Sequence, residues 1–468
     1  MIRKGRIVDM FKEDTIAAIT TGMSNAGVGI IRISGDMACE ITDKVFRAEN
    51  KNKKASSMKS YTAAFGKIYD GDELLDESIL LVMKAPHTYT CEDVCELQCH
   101  GGIVVLQKIL DLVLKNGARA AEPGEFTKRA FLGGRIDMSQ AESVMSLINA
   151  KNEFAVRTSV DQLQGRLKDT IMDMREKILY NVAFIESALD DPEHYSLDGF
   201  SKKLRVIVEE IRNQIVILLN TFDNGKVLSE GINTVIVGKP NAGKSSLLNM
   251  FVGEDRAIVT DLAGTTRDTL SETVNIRGIT LNIIDTAGIR ETDDIVEKIG
   301  VDKALESVYK ADLILYVVDG SVDLDENDHR IIEEIKDKNV IVIINKSDLE
   351  TKIDKNIVGK YIDKKIIHLS AITGDGSEEL YDMLNKMFFD GSLSYNDQLY
   401  ITNARHKNEL VYTKNALDKV IESIDIGMEE DFFSIDMMDA YEHLGLIIGE
   451  TARDDLADKI FKDFCMGK

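Results

Sequence analysis

The stretch GKPNAGKSS, residues 238–246, constrains this chain more than any other. It fits G-x-x-x-x-G-K-[ST] at Gly238, Gly243, Lys244 and Ser245, follows the apolar run "NTVIVG", and precedes a segment of helical apolar periodicity. Strand, glycine-bearing turn and helix in that order curl backbone N–H groups around an anion at a helix N-terminus. Asn241, Ala242, Gly243, Lys244, Ser245 and Ser246 then line a phosphate chain, with Lys244 neutralising its β- and γ-phosphates and Ser245 ligating magnesium. A chance glycine-rich turn satisfies the letters of the motif but not its flanks.

Those flanks predict the fold. From Gly231 strands and helices alternate: "LNIIDTAG", "DLILYVVDG", "VIVIINKSD" and "KIIHLSA" read as strands, and "SEELYDMLNKMF" as a closing helix. This is a doubly wound α/β domain over 231–391. Residues 1–128 mix short apolar runs with turn residues and read as α+β, whereas 129–230 and 392–468 carry long helical periodicity. Helical sequence on both sides suggests that the α/β unit is inserted into one helical domain.

Three further segments turn a phosphate site into a guanine site. "NKSD" supplies Asn345, Lys346 and Asp348, and the Asp348 carboxylate can accept from guanine's ring N–H and amino group, a pair that adenine lacks. "SA", Ser370 and Ala371, closes over the base, and "DTAG", Asp285, Thr286, Ala287 and Gly288, sets Asp285 near magnesium and the Gly288 N–H near the γ-phosphate. Burying that carboxylate against the wrong base costs on the order of a few kcal/mol, so GTP is expected over ATP. Ile289 stands where many GTPases place a water-orienting glutamine. The acids that follow, Glu291, Asp293, Asp294 and Glu297, include replacements, or are solvated side chains of a loop; spacing does not choose.

Composition excludes several alternatives. The formal charge of −23 opposes non-specific attraction to a polyanion, so a nucleic-acid substrate requires a partner to supply much of the grip. No apolar run approaches the roughly 18 residues of a membrane span, and the first residues lack a leader pattern, so a soluble, cytoplasmic protein is expected. Five cysteines suit a reducing compartment without a disulfide framework. In "CEDVCELQCHGG", Cys91, Cys95, Cys99 and His100 invite a metal reading. Four residues of strand span about 13 Å, however, which favours buried structural thiols. Cys39 shows no evident partner and reads as core. The terminal "FCMGK" does not suit prenylation, because glycine stands where an aliphatic residue is wanted.

The segments "GVGIIRISG", "CEDVCELQCHGG", "EPGEFTKRAFLGGRIDMSQAE", "GKPNAGKSSLLN", "TDLAGTTRD", "DTAGIRETDDIVEKIG" and "FCMGK" together resemble the MnmE (TrmE) family of tRNA-modifying GTPases, in order along essentially the whole chain. The resemblance implies a potassium ion in place of an arginine finger, held by Asn241 and by Thr260, Leu262 and Thr265, with Asp261, Ala263 and Gly264 in the same loop. It adds Thr266 to Ser245 on magnesium, and it selects Glu297 as the water-positioning glutamate. It further implies a tetrahydrofolate site in the N-terminal domain at Arg32, Glu96, Arg135 and Lys468, with Arg135 where some relatives carry lysine, and Cys465 as a candidate catalytic thiol. The implied ligand is 5,10-methylenetetrahydrofolate, with 5-formyltetrahydrofolate as an analogue.

The implied function is modification of carbon five of the wobble uridine of certain tRNAs, with folate supplying the carbon and GTP hydrolysis moving the G domains. The implied assembly is a homodimer joined to two subunits of an FAD-dependent partner, MnmG, without a membrane. The chain itself has no G-x-G-x-x-G, consistent with FAD on the partner. A ribosome-assembly GTPase would call for a basic RNA-binding module, and a self-assembling mechanical GTPase for a basic membrane-facing surface; neither pattern is evident.

Overall fold

The computed structural model describes residues 14–254, 272–276, 279–284, 311–353, 355–389, 399–450 and 467. Contacts divide the chain into two compact units, one of Met1–Met145, Gln162–Ile207 and Asn415–Lys468, the other of Ser146–Asp161 and Val208–Lys414. No helix among the described residues is long and apolar enough to cross a membrane.

The first unit holds a seven-stranded sheet. Its elements are β1 (Ile16–Ile19), β2 (Ala26–Ser34), α1 (Ala38–Val45), β3 (Phe46–Ala48), β4 (Thr62–Asp70), β5 (Glu73–Met83), β6 (Val94–Gly101), α2 (Ile103–Lys115), β7 (Arg119–Ala120) and α3 (Glu125–Leu132). The strand order is β3-β4-β5-β6-β2-β1-β7, antiparallel except for the β1/β7 pair. Period-two alternation decides which side chains do what. On β6, Cys95, Leu97 and Cys99 enter a core with Ile31 and Ile33 of β2, Ile41 of α1, and Leu106 and Ile109 of α2. Glu96 and His100 face the other way.

The helical sequence after Asp137 breaks into α4 (Met138–Ile148), α5 (Glu153–Leu163) and α6 (Arg166–Asp190), followed by α7 (Phe200–Asn220) and α8 (Phe222–Glu230). Within the first unit α6 buries Leu167, Ile171, Met174, Ile178, Val182 and Ile185, the three-and-four spacing of an apolar helical face. Its buried Arg175 lies 4.0 Å from the Tyr441 ring and pairs with Glu450.

The second unit holds β8 (Ile232–Val237), α9 (Lys244–Glu254), β9 (Glu272–Ile276), β10 (Ile279–Ile283), β11 (Leu313–Asp319), α10 (Glu326–Ile335), β12 (Val340–Asn345), β13 (Lys365–His368) and α11 (Ser377–Phe389). The order is β13-β12-β11-β8-β10-β9, parallel except for β9. Strands β11 and β12 are buried almost throughout, as a parallel sheet covered on both faces requires. After α11 the chain returns to helix in α12 (Ala404–Asp425) and α13 (Glu430–Ile448). The multidomain description therefore holds: an α+β sheet domain, helices, and a doubly wound P-loop domain lying between helical stretches. Strand β10 is also gripped from outside the sheet. Lys151 Nζ donates to Asn282 Oδ1 at 3.1 Å, Asn152 Nδ2 donates to Thr280 Oγ1 at 2.7 Å and to the Leu228 carbonyl at 2.9 Å, and Asn282 Nδ2 donates to the Glu230 carbonyl at 2.8 Å.

Candidate functional site

In a doubly wound sheet ligands bind beyond the carboxyl ends of the strands, where the strand order reverses. Here β8 is central, with β11 on one side and β10 on the other. The motif of residues 238–246 leaves the end of β8 and enters α9 at Lys244. Gly243, at φ +100°, stands where an added Cβ would lie 2.0 Å from Asn345 Nδ2, so only glycine lets the loop close this tightly over the helix start. Lys244 Nζ donates to the carbonyls of Gly238 at 2.8 Å and Lys239 at 2.9 Å. Burial holds its ammonium below the ordinary lysine pKa. Ser245 and Ser246 occupy the first turn of α9, Ala242 is buried, and Asn241 is exposed at φ +65°.

The base end is assembled by Asn345, the last residue of β12 and 2% exposed. Its Nδ2 donates to the Ala242 carbonyl at 2.9 Å, and its Oδ1 accepts from the Ala371 N–H at 3.0 Å. One side chain thus ties the phosphate loop to the "SA" turn. Ser370 Oγ donates to Asp348 Oδ1 at 2.6 Å, which orients the carboxylate assigned to guanine. Lys346, at φ +64°, pairs with Asp319 at 2.6 Å. Burial would raise the Asp319 carboxyl, but Lys346 and Ser321 hold it below the usual carboxylate range.

A second cluster lies on the N-terminal sheet. Arg32 on β2 and Glu96 on β6 are direct register partners, joined Nε to Oε1 at 2.8 Å with little of either side chain exposed. The Arg32 guanidinium carbon lies 5.8 Å from the Tyr89 ring centroid and 5.5 Å from that of buried Phe126, and the Arg135 carbon lies 5.3 Å from Tyr89. Tyr89 therefore gathers both arginines within cation–π range. Nothing in "HTYTCED" marked it, because the convergence joins distant segments. Arg135 also lines a cleft of about 430 Å³ with Tyr61, His87, Cys91 and Gly133; Arg32 and Glu96 are not among its walls. Gly467 is buried against β1, where an added Cβ would meet the Ile19 carbonyl at 2.5 Å, and Ile19 pairs with Ile31, beside Arg32.

The cysteines separate. Cys95 and Cys99 are buried on β6, Cys91 sits in the turn before it, and exposed His100 bonds Asp76 at 2.6 Å. Among the described residues no three His, Cys, Asp or Glu side chains converge to hold a metal. Cys39 is core, but it does have partners: its Sγ lies 3.5 Å from Cys95 Sγ and 2.9 Å from Lys84 Nζ. The hydrogen bond with Cys95 and, against burial, Lys84 bring the Cys39 pKa down to about 7, while burial pushes Cys99 up to about 12.

Thr260, Asp261, Leu262, Ala263, Gly264, Thr265, Thr266, Asp285, Thr286, Ala287, Gly288, Glu297, Cys465 and Lys468 lie outside the described residues.

Two family models match the chain. One described as the GTP-binding protein TrmE N-terminus covers residues 15–135, and one described as the MnmE helical domain covers residues 138–465. The chain is 55% identical over 457 residues to the tRNA modification GTPase MnmE of Lachnoclostridium phytofermentans, covering 98% of this chain and 100% of that protein. It is 46% identical over 461 residues to that of Clostridioides difficile, with coverages of 98% and 100%. To that of Staphylococcus haemolyticus it is 44% identical over 459 residues, with coverages of 97% and 99%.

Proposed function

The chain belongs to the MnmE family of tRNA modification GTPases, and from that membership we propose that it is a potassium-dependent GTP hydrolase that modifies wobble uridines of certain tRNAs. It acts with an FAD-bearing MnmG partner, as a homodimer joined to two partner subunits, and adds an aminomethyl or carboxymethylaminomethyl group to carbon five. A 5,10-methylenetetrahydrofolate donor provides the carbon. Full-length similarity to tRNA modification GTPases carries the reading.

The geometry supports each part to a different degree. The P-loop carries the phosphates on the N-terminus of α9, where Lys244 adds charge and Asn345 holds the loop against the base-binding turn. Asp348, steadied by Ser370, accepts from guanine. The exposed oxygens of Ser245 and Asn241 beside the helix start suit hard cations, and Thr266, with Thr260, Leu262 and Thr265, completes those sets in the proposal. Magnesium and potassium, when bound, supply fixed positive charge beside the β/γ bridge, where charge develops as the bond breaks. Glu297 orients the water that Ile289 cannot. Arg32 and Glu96 offer charge and hydrogen-bond edges, and the partly exposed Tyr89 ring a stacking face, a donor set that fits a pterin with a glutamate tail. Arg135 and Lys468 complete that site, and Cys465 is the proposed thiol beside it.

The deciding experiment is mass spectrometry of wobble nucleosides from cells lacking this chain. Disappearance of the modified uridines, with return on complementation, is expected; an unchanged nucleoside profile sinks the proposal.

A further inference from the structure

Lys239 occupies one of the unspecified positions of the phosphate-binding motif, yet its side chain is held by two carboxylates. Its Nζ lies 2.6 Å from Asp328 Oδ2 and 2.9 Å from Asp325 Oδ2, and Asp328 is 1% exposed. That carboxylate is fully engaged. Tyr316, wholly buried on β11, donates from its hydroxyl to Oδ1 at 2.9 Å, and the Asp325 N–H donates to Oδ2 at 3.0 Å. Asp325 in turn caps α10 by accepting from the N–H groups of Asn327 and Asp328. Tyr316 is the register partner of Val237, the residue before Gly238. The backbone carbonyl of Lys239 is one of the two that receive Lys244 Nζ. At the other end of the same turn, Asp319 holds Lys346 of the base-binding segment.

We infer that Lys239 is a positioning residue for GTP binding: its buried ion pair with Asp328 fixes the first turn of the phosphate loop, and with it the carbonyls that place Lys244. Residues 319–328 then brace both ends of the nucleotide site from one side. The inference rests on GTP binding at this loop. Removing the ammonium leaves Asp328 a buried, uncompensated charge and frees the Lys239 carbonyl to wander, so the loop must be ordered again by each incoming nucleotide.

The test is a fluorescence titration of the full chain with N-methylanthraniloyl-GDP, paired with steady-state GTP hydrolysis. In Lys239→Met the Kd is expected to rise at least about tenfold and KM for GTP to rise with it, while kcat at saturating GTP stays within about twofold. Lys239→Arg, which keeps the charge, is expected to recover most of the affinity. Asp325→Asn, which removes only the exposed arm, is expected to stay within about threefold. If Lys239→Met does not fold, Asp328→Asn carries the same expectation. A Kd within about threefold of the parent in the Met or Asn variant overturns the inference, as does a loss that arginine does not recover, or a fall in kcat with KM unchanged. A parent protein that does not bind the probe would instead sink the nucleotide-site reading.

Discussion

Replacing Asn345 by alanine removes a side chain that joins the 238–246 loop to the turn at Ser370 and Ala371. Its two hydrogen bonds, 2.9 Å to the Ala242 carbonyl and 3.0 Å from the Ala371 N–H, are made at a position 2% exposed, so neither orphaned backbone group gains easy access to water. A buried backbone group left without a partner costs about 1–3 kcal/mol, which gives roughly 2–6 kcal/mol for the pair if no water enters. Rearranged water can offset part of that. The lower end, about 2 kcal/mol, still corresponds to roughly 30-fold in an equilibrium constant. The expected outcome is a thermal midpoint for the nucleotide-free protein lowered by that free energy, with the GDP Kd weakened by the part of it that the nucleotide must restore when it orders the loop. Isothermal titration and a thermal melt on the same preparation read both. A Kd within about threefold of the parent and an unmoved melt would refute the reasoning, because they would mean that the bridge carries no free energy.

Turnover is expected to be fast in potassium buffer and slow in sodium at equal ionic strength; equal rates would remove the cation from the mechanism. Arg32→Gln strands Glu96 in its half-buried position and is expected to lose binding of 5-formyltetrahydrofolate by calorimetry while GTP hydrolysis persists; folate binding at parental strength would remove Arg32 from that site. Asp319 is held below its ordinary pKa, so its folded form takes up a proton less readily than its unfolded form. It therefore contributes stability above about pH 3.8 that is lost as pH falls through the lower folded value. Asp319→Asn should accordingly flatten the acid limb of a circular-dichroism unfolding profile, and an unchanged limb would count against the Lys346 pairing.

The nucleotide domain was legible because its motifs are tied to backbone geometry. A glycine at left-handed φ, a strand end and a helix start have local signatures, and residues 238–246, 345–348 and 370–371 stand at those places. What could not be read was everything that depends on distant segments meeting. The two hydrogen bonds of Asn345, to Ala242 and from Ala371, the pairing of Lys239 with Asp328, and the ring of Tyr89 between two arginines each require the tertiary fold. Cys39 is the instructive case. Its burial was read from the sequence, but its actual neighbours were not: Cys39 lies on α1, whereas Cys95 lies on β6 and Lys84 just past the end of β5. The break between α4 and α5 was hidden for the opposite reason. Periodicity persists on both sides, and only the side chains of Lys151 and Asn152, turned toward β10, show why the helix stops there.

That grip on β10 limits how the strand itself can move. The strand ends at Ile283, two residues before Asp285, and is fastened along its length by Asn152 at Thr280 and by Lys151 at Asn282. It also lies between β8 and β9, so sliding it would break backbone ladders on both edges together with the side-chain fastenings. A displacement of β10 therefore has two outcomes: the fastenings at Thr280 and Asn282 break, or residues 151 and 152 travel with the strand.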